Sequence, residues 1–398
     1  MIELFAAFKK ILVIQVLILI FGIYESVNSN IIEDLKKFQE ILIKIQRQHI
    51  SKPDDKKLIK SAIEGMLKSL DDPYSVYMEA KENEQFQDKI KSHFGGIGIQ
   101  IGVYNDESAG DSYLQIIDLL PVKNCPAKIA GLLPKDIILK IDDTDAKNMP
   151  FDEAKDYLRG EVGSKVILTI RRLPGDNSET EPLTITVIRD EIELSQARHK
   201  ILSDSIGYLR LDSFTELSAK DVKENLMILT DSGVSGIIFD LRSNPGGLLT
   251  AAVEISGYFI SGQKQVVYTK DRNDKTISDY YTNGNPVCSL PLVLLVNELS
   301  ASASEIVTGA LKAHNRAVII GKKTFGKGSV QQLFSFSDKS GLKLTNAYYY
   351  TPANICIHGK GIEPDVEAAY NGATKEDEQI EFAIKSLKAF NLLTRKNY

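Results

Sequence analysis

The sequence predicts a multidomain chain that combines an α/β core with an α+β region and an N-terminal helical region. Three observations lead to this fold class. Apolar residues recur at helical spacing between residues 31 and 70, whereas residues 94–187 show the shorter period of β-strands. From about Glu191 onward, strand-like and helix-like segments alternate, which is typical of an α/β core. The 43% hydrophobic content of the 398 residues is sufficient for two or three buried cores.

The N-terminal segment has the pattern of an export signal. Lys9 and Lys10 precede residues 11–24, an uncharged stretch shorter than the roughly 20 residues that a membrane-spanning helix needs. Val27 and Ser29 suit a cleavage site because both side chains are small. We therefore expect residues 1–29 to be a signal peptide, with an uncleaved signal anchor as the alternative. In both cases the rest of the chain is expected to be exported, which fits a bacterial periplasm.

The following regions are distinguished by their hydrophobic period. Residues 30–90 are predicted to be helical, and residues 91–190 to form a strand-rich domain. In that domain, strands are predicted at 97–103, 114–117, 136–141, 166–170 and 183–187, and helices at 126–132 and 151–158. The core is predicted to span residues 191–370, and a C-terminal helical segment to span 371–398. Core strands are predicted at 206–211, 234–239, 291–296, 316–320 and 342–350, and helices at 218–229, from Ser304 onward and at 377–390.

A run of small residues around Ser302 is the strongest candidate for a catalytic nucleophile. It follows the apolar strand at 291–296 and leads directly into the helix that begins near Ser304. A hydroxyl at such a junction is presented without steric cover, and the free amides of the first helical turn, including that of Ala303, suit a developing negative charge. Ser302 is therefore a candidate nucleophile, and the Ala303 amide a candidate oxyanion donor; the alternative is an ordinary serine-rich helix N-cap.

Two glycine-containing segments complete the predicted site. Lys327 lies between Gly326 and Gly328, 25 positions after Ser302, where no bulky neighbour prevents its approach to the hydroxyl. Serine with lysine is a known combination for nucleophilic catalysis. The Gly246–Gly247 turn follows the strand at 234–239 and can bring a glycine N–H to a bound carbonyl. Either glycine is a candidate for the second oxyanion donor.

A histidine base is the alternative to Lys327. Of the five histidines, His314 is expected near the end of the helix that follows Ser302, far from the hydroxyl. His358 lies in a glycine-rich loop and is the one plausible competitor. A neutral lysine also needs explanation, because the reference pKa of lysine is about 10.4 and burial must lower it.

Composition excludes several other classes of protein. A formal net charge of −5 and the lack of an extended basic stripe argue against a nucleic-acid partner. Cys125, Cys288 and Cys356 are scattered without metal-ligand spacing, and their odd number leaves at least one free thiol. We expect neither a disulfide framework nor a metal, and no cofactor.

Taken together, seven motifs resemble those of the C-terminal processing peptidases, also called tail-specific proteases. These are exported serine peptidases that contain a PDZ domain. The matching segments occur in family order and are together highly specific: 72–75, 95–98, 127–136, 240–247, 297–305, 324–331 and 359–365. They extend over nearly all of the chain from about Asn30 to about Val366.

The resemblance implies roles for individual residues. Ser302 would be the nucleophile, Lys327 the general base, and Gln331 the residue that positions the lysine amine. Ala303 and the Gly246–Gly247 turn would form the oxyanion hole, with Gly246 favoured over Gly247 as the donor. Glutamine suits this position because, unlike glutamate, it adds no carboxylate that would keep the lysine charged. The core would be crotonase-like. The implied activity is endopeptidase cleavage through an acyl-enzyme.

The resemblance also implies that residues 91–190 form the PDZ domain, which binds peptide C-termini by strand addition. Its candidate carboxylate-binding loop consists of Gly96, Ile97, Gly98 and Ile99. Arg159, at the end of the helix at 151–158, is a candidate regulatory residue that couples this domain to the core; the alternative is an ordinary helix-terminal arginine.

Partners follow from this interpretation. The expected substrates are proteins or peptides with accessible C-termini, and an adaptor protein and a homodimer are further expectations. Contact with the inner membrane is expected only if the N-terminal segment is not cleaved. The alternative function is a catalytically idle PDZ scaffold of the cell envelope, which would not need Ser302, Lys327 and Gln331.

Overall fold

The computed structural model describes residues 29–91, 93–106, 110–122, 124–172, 181–368 and 377–395. The predicted signal segment, except Ser29, lies outside these ranges. The chain divides into two compact units, Met1–Pro73 and Tyr74–Tyr398. Among the described helices, none combines the length and apolarity that a membrane crossing requires.

The first unit contains two helices, α1 (Ser29–Gln48) and α2 (Asp55–Lys68). The helical pattern predicted from the sequence is therefore interrupted at residues 49–54. Asp54 begins the second helix, because its carboxylate accepts hydrogen bonds from Lys56 N at 2.8 Å and Lys57 N at 3.3 Å. On α1, four apolar side chains are about half exposed: Ile31, Leu35, Phe38 and Ile41.

The second unit begins with a short segment that precedes the strand-rich domain. It contains strand β1 (Val76–Met78), helix α3 (Ala80–Lys91) and strand β2 (His93–Gly96). None of these elements was predicted as a separate element from the sequence, because the strands are short and α3 is strongly polar.

The strand-rich domain is built on a sheet in the order β3-β4-β5-β7-β8, with β6 paired to β5. Its strands are β3 (Ile99–Asp106), β4 (Asp111–Leu119), β5 (Ile137–Ile141), β6 (Thr144–Asp145), β7 (Lys165–Arg171) and β8 (Leu183–Ile188). Two helices, α4 (Pro126–Ile129) and α5 (Phe151–Leu158), complete it. Alternate residues of the strands enter one core, as the period of two requires, including Leu114, Ile116, Val166 and Leu168.

The core domain contains a six-stranded sheet and a second, antiparallel sheet. Its elements are β9 (Asp190–Glu193), β10 (Ala197–Leu202), β11 (Ile206–Leu211), α6 (Ser218–Asp231), β12 (Gly236–Asp240), α7 (Leu249–Gly257), β13 (Gln265–Lys270), β14 (Thr276–Tyr281), β15 (Leu292–Val296), α8 (Ala303–Ala313), β16 (Val318–Gly321), β17 (Ser329–Ser335), β18 (Gly341–Tyr350), β19 (Val366–Glu367) and α9 (Glu378–Arg395).

The six-stranded sheet determines where the candidate site lies. Its order is β10-β11-β12-β15-β16-β19, and all neighbouring pairs from β11 to β19 are parallel. Every residue of β12 and β15 is buried, as expected for central parallel strands covered on both faces. Because parallel strands end at the same edge of a sheet, the loops after β12, β15 and β16 lie close together.

The second sheet has the order β1-β18-β13-β14, with β17 also paired to β18. Strand β1 pairs antiparallel with β18, so that Val76 lies opposite Lys343. The segment before the strand-rich domain is thereby attached to the same sheet that carries β17, the strand immediately after Lys327.

A buried charge cluster joins the parallel sheet to the C-terminal helix. The fully buried Asp240 accepts hydrogen bonds from Tyr208 Oη at 2.7 Å and from Arg242 Nη2 at 2.6 Å. Arg242 also reaches Asp377 Oδ2 at 2.8 Å, just before α9. Burial, reinforced by the Asp240 charge, raises the pKa of Tyr208 to about 12.

Asp240→Ala is expected to lower the free energy of unfolding by about 3–5 kcal/mol, because it leaves the buried Arg242 guanidinium without its main carboxylate. Urea denaturation followed by circular dichroism measures this change. The matched control is Asp231→Ala, an exposed carboxylate at the end of α6, which should change stability by less than about 0.5 kcal/mol. Equal effects of the two substitutions would show that the cluster does not stabilise the fold.

Candidate active site

Ser302 occupies a sharp turn between β15 and α8. Its backbone has φ 55° and ψ −114°, a conformation that non-glycine residues seldom adopt and that often occurs at functional sites. The residue is half-buried and stands at the N-cap position of α8. Ala303, fully buried, is the first residue of the helix, where backbone amides lack intrahelical partners. The predicted strand-to-helix junction is therefore present.

Lys327 lies in the loop between β16 and β17, where glycines allow a close approach of the backbone. A Cβ at Gly328 would lie 2.2 Å from His358 N, and Gly326 has a φ of 91°. The Lys327 side chain is half-buried, and its Nζ lies 4.5 Å from the centre of the Tyr74 ring. Phe325, two residues before Lys327, is 56% exposed.

A buried carboxylate, Glu305, connects the nucleophile turn to the lysine loop. Its Oε2 accepts hydrogen bonds from Ser302 N and from Lys327 N, both at 2.8 Å. Its Oε1 accepts from Thr324 Oγ1 at 2.6 Å and from Gly326 N at 2.7 Å. The residue is fully buried. Thus the backbones of the candidate nucleophile and the candidate base are fixed by one oxygen atom.

No role for Glu305 was predicted from the sequence. The signal that could have revealed it is the spacing of Ser302 and Glu305, which are the N-cap and N3 residues of a capping box. Burial raises the pKa of the Glu305 carboxyl above its ordinary value, although the four hydrogen bonds oppose this shift. Four donors around two oxygens are the environment that an ionised carboxylate requires.

The Gly246–Gly247 turn lies directly against the nucleophile. A Cβ at Gly246 would be 2.7 Å from Ser302 Cβ and 2.8 Å from Ala303 N, so that only glycine can be accommodated. A Cβ at Gly247 would be 1.9 Å from Phe214 O. The Gly246 N–H donates to Asn244 Oδ1 at 2.8 Å, so the favoured oxyanion donor is already engaged in this structure.

Ser302, Lys327 and Gln331 are not joined by hydrogen bonds in the described part of the chain. The Gln331 amide donates to Ser329 Oγ at 2.8 Å and to Thr345 Oγ1 at 3.2 Å, on its own strand and on β18. The structure therefore brings the three residues to one region without assembling a proton-transfer chain.

Among the described residues, neither His314 nor His358 forms a hydrogen bond with Ser302. The His358 ring packs on Tyr348 with a centroid distance of 4.6 Å, and its buried Nδ1 has no hydrogen-bond partner among these residues. His314 Nε2 lies 2.7 Å from Gln265 O at the far end of α8.

The candidate carboxylate-binding loop lies between β2 and β3. Gly96 belongs to β2, and Ile97 is only 2% exposed because its side chain enters the domain core. The carbonyls of Ile97 and Gly98 accept hydrogen bonds from Ala127 N at 2.8 Å and Leu120 N at 3.0 Å, which fixes the shape of the loop. The following strand β3, which begins at Ile99, is an edge of its sheet and pairs with β4 alone in the described ranges.

Arg159 lies next to this loop, at the end of α5. Its Nη1 is 3.3 Å from Asp88 Oδ2 on α3, and its guanidinium carbon is 4.2 Å from the centre of the Phe94 ring on β2. Arg159 therefore has a carboxylate partner, Asp88. It belongs to the helix that links the strand-rich domain to the antiparallel sheet of the core.

Three family models match separate parts of the chain. Residues 205–368 match Peptidase family S41, residues 117–172 match the PDZ domain, and residues 23–82 match the activating protease CtpB N-terminal domain. The first range contains Ser302, Lys327 and Glu305. The second contains most of the strand-rich domain.

Similar curated proteins carry matching names. A carboxy-terminal-processing protease of Bartonella bacilliformis is 38% identical over 85% of this chain and 76% of its own length. Carboxy-terminal processing protease CtpA of Bacillus subtilis is 35% identical over 83% of this chain and 68% of its own. A probable CtpA-like serine protease of Staphylococcus haemolyticus is 36% identical over 85% of this chain and 65% of its own length.

Among solved structures, a photosystem II D1 C-terminal processing protease aligns with 82% of this chain and 85% of its own, at 28% identity and a TM-score of 0.47. With a TM-score this low, the assignment rests on the sequence relatives and the family models. They confirm the predicted family and enzyme class. The chain belongs to peptidase family S41, as a carboxy-terminal processing serine peptidase with a PDZ domain.

Proposed function

We propose that this peptidase cleaves proteins near their C-termini by a Ser–Lys mechanism. The observation that carries the proposal is the shared carboxylate of Glu305, which accepts hydrogen bonds from both Ser302 N and Lys327 N at 2.8 Å. A scaffold that only binds tails would not need Ser302 and Lys327 to be held together in this way. No observation favours the alternative of an idle PDZ protein.

In the proposed mechanism, neutral Lys327 takes the proton of Ser302 Oγ while this oxygen attacks the scissile carbonyl carbon. The tetrahedral intermediate collapses to an acyl-enzyme, and the lysine ammonium returns its proton to the leaving amine. A water molecule, deprotonated by Lys327, then releases the acyl group. Gln331 positions the lysine amine once its side chain turns from Ser329 and Thr345.

The oxyanion donors proposed are Ala303 N and the Gly246–Gly247 turn. The close approach of Gly246 to Ser302 supports this placement of the turn. Because the Gly246 N–H donates to Asn244 Oδ1, its use requires that this hydrogen bond be released. Gly247 is the alternative donor within the same turn.

Substrate tails are proposed to bind the PDZ domain as an additional strand beside β3. Support comes from the edge position of β3 and from the rigid loop that precedes it. In this arrangement Gly96, Ile97, Gly98 and Ile99 contribute backbone amides for the terminal carboxylate. The ion pair with Asp88 supports Arg159 as the residue that couples tail binding to the core.

The remaining proposals concern location and assembly. Export to the periplasm, by a cleaved signal peptide or with an inner-membrane anchor, is supported by the uncharged stretch at residues 11–24. A homodimer is supported by the half-exposed apolar side chains of α1. Delivery of substrates by an adaptor is a further proposal. The parallel strands of the core, alternating with helices, support its description as crotonase-like.

Lys327→Ala is expected to lower peptide cleavage and fluorophosphonate labelling of Ser302 by about 10²–10⁴-fold, the usual contribution of general acid–base catalysis. Lys323→Ala, an exposed lysine of the same loop that is paired with Glu363 at 2.7 Å, is the matched control and should remain active. Activity that survives in Lys327→Ala but is lost in His358→Ala would assign the base to His358.

Glu305→Gln is expected to reduce Ser302 labelling by about 10²-fold. The substitution replaces one accepting oxygen by an NH₂ group, which would face the N–H donors of the site and displace the backbone of Ser302 or of Lys327. The raised pKa means that the ionised carboxyl opposes folding at neutral pH, and this cost disappears as pH falls. Loss of the charge should therefore not by itself unfold the protein. Labelling rates and unfolding curves measure both effects, and the control is Glu298→Gln, an exposed carboxylate in the loop between β15 and α8. Labelling within threefold of wild type would contradict the role of Glu305.

Arg159→Ala is expected to reduce cleavage of tail-bearing peptides about three- to tenfold. This loss corresponds to the free energy of a partly exposed ion pair and a cation–π contact, which the substitution removes. Ser302 should still react with a small fluorophosphonate. Lys165→Ala, an exposed lysine on β7, provides the control. Unchanged proteolysis in Arg159→Ala would make this arginine an ordinary surface residue.

A further inference from the structure

The ammonium group of Lys327 is held against an aromatic ring that belongs to none of the predicted catalytic elements. Its Nζ lies 4.5 Å from the centre of the Tyr74 ring. The face of an aromatic ring carries a partial negative charge, which attracts a cation and has no comparable attraction for a neutral amine. The contact with Tyr74 therefore favours the protonated form of Lys327, which cannot act as a base.

We propose that Tyr74 is a positioning residue that holds Lys327 in a protonated resting state. In this state the amine lies on the ring, and it must leave the ring and lose its proton before it can accept the proton of Ser302 Oγ. The inference rests on the proposed role of Lys327 as general base. It accounts for the observation that Ser302 makes no hydrogen bond to Lys327 in the described part of the chain.

The position of Tyr74 connects this contact to the PDZ domain. Tyr74 lies two residues before the start of β1, and the same continuous segment continues through α3. Helix α3 is attached to the PDZ domain by the ion pair of Asp88 with Arg159 and by the ion pair of Lys81 Nζ with Asp156 Oδ2 at 2.7 Å. It is attached to the core by a hydrogen bond from Asn83 Nδ2 to Lys339 O at 3.0 Å. A movement of α3 with the PDZ domain would thus displace the Tyr74 ring from Lys327.

Several other titratable groups belong to the elements packed against the Lys327 loop. Glu305 of α8 accepts a hydrogen bond from Lys327 N at 2.8 Å. The backbones of His358 and Lys360 pack against Gly328 and Gly326. Histidine is the residue type whose charge changes in the physiological pH range, so a His358→Gln variant separates this side chain's contribution from that of Lys327.

The test is the pH dependence of Ser302 acylation by a small fluorophosphonate, measured on the full chain. For Tyr74→Leu, the midpoint of the rising rate is expected to lie about 0.4–1.5 pH units below that of wild type, the shift that corresponds to a cation–π contact of usual strength. Below the midpoint, the variant should react about 2- to 30-fold faster. Tyr74→Phe keeps the ring and should retain the wild-type midpoint.

The controls separate this inference from the proposed function. Tyr74→Met replaces Tyr74→Leu if the latter fails to fold, as judged by its circular dichroism and melting temperature. The inference is overturned if the ring-less variant keeps the wild-type midpoint, if Tyr74→Phe shifts as far as Tyr74→Leu, or if His358→Gln alone removes the titration. Lys327→Ala that is acylated as fast as wild type would overturn the Ser–Lys mechanism itself, and the inference with it.

Discussion

The candidate site depends on the carboxylate of Glu305. The nucleophile turn and the lysine loop follow two neighbouring parallel strands, β15 and β16, which brings them to the same edge of the sheet. Proximity at an edge does not determine the relative position of two loops to within the fraction of an ångström that proton transfer needs. Glu305 supplies that constraint, because one of its oxygens accepts from Ser302 N and Lys327 N together. The burial that makes these hydrogen bonds strong also raises the carboxyl pKa, so that precision in the site is obtained at some cost in stability.

A second constraint comes from glycine. Around Ser302, the backbone of the Gly246–Gly247 turn approaches the nucleophile and Phe214 more closely than any residue with a Cβ could. Asn244 organises this turn, since its buried side chain accepts from Gly246 N and donates to Leu211 O at 2.9 Å. The turn and the nucleophile are also joined by Ser304 Oγ, which donates to Asn244 O at 2.9 Å. The three loops at the edge of the sheet therefore pack as one hydrogen-bonded unit.

The same structure contains groups that are not arranged for catalysis. Lys327 lies on the Tyr74 ring, Gln331 binds hydroxyl groups of Ser329 and Thr345, and the Gly246 N–H is engaged by Asn244. In each of these contacts, a polar group is bound to a partner other than the one that the proposed catalysis would require. A peptidase that acts on protein tails must avoid cleaving other proteins. In the proposed resting state, tail binding would supply the free energy that assembles the site. The segment from Tyr74 to the end of α3 contacts the PDZ domain, the antiparallel sheet and Lys327.

The local sequence pattern was sufficient to predict much of the architecture. The helix Phe151–Leu158 and the strand Ile206–Leu211 have the predicted bounds, and the family and enzyme class follow from motifs such as that around Ser302. Periodicity reports which face of an element is buried, and it works best for long apolar segments. It missed the interruption at residues 49–54, and it placed Ile97 at the start of a strand that begins at Ile99. Glu305, Tyr74 and Asp88 acquire their roles only through contacts with residues distant in the chain. Those contacts depend on strand order, register and loop packing, so only the tertiary structure could reveal them.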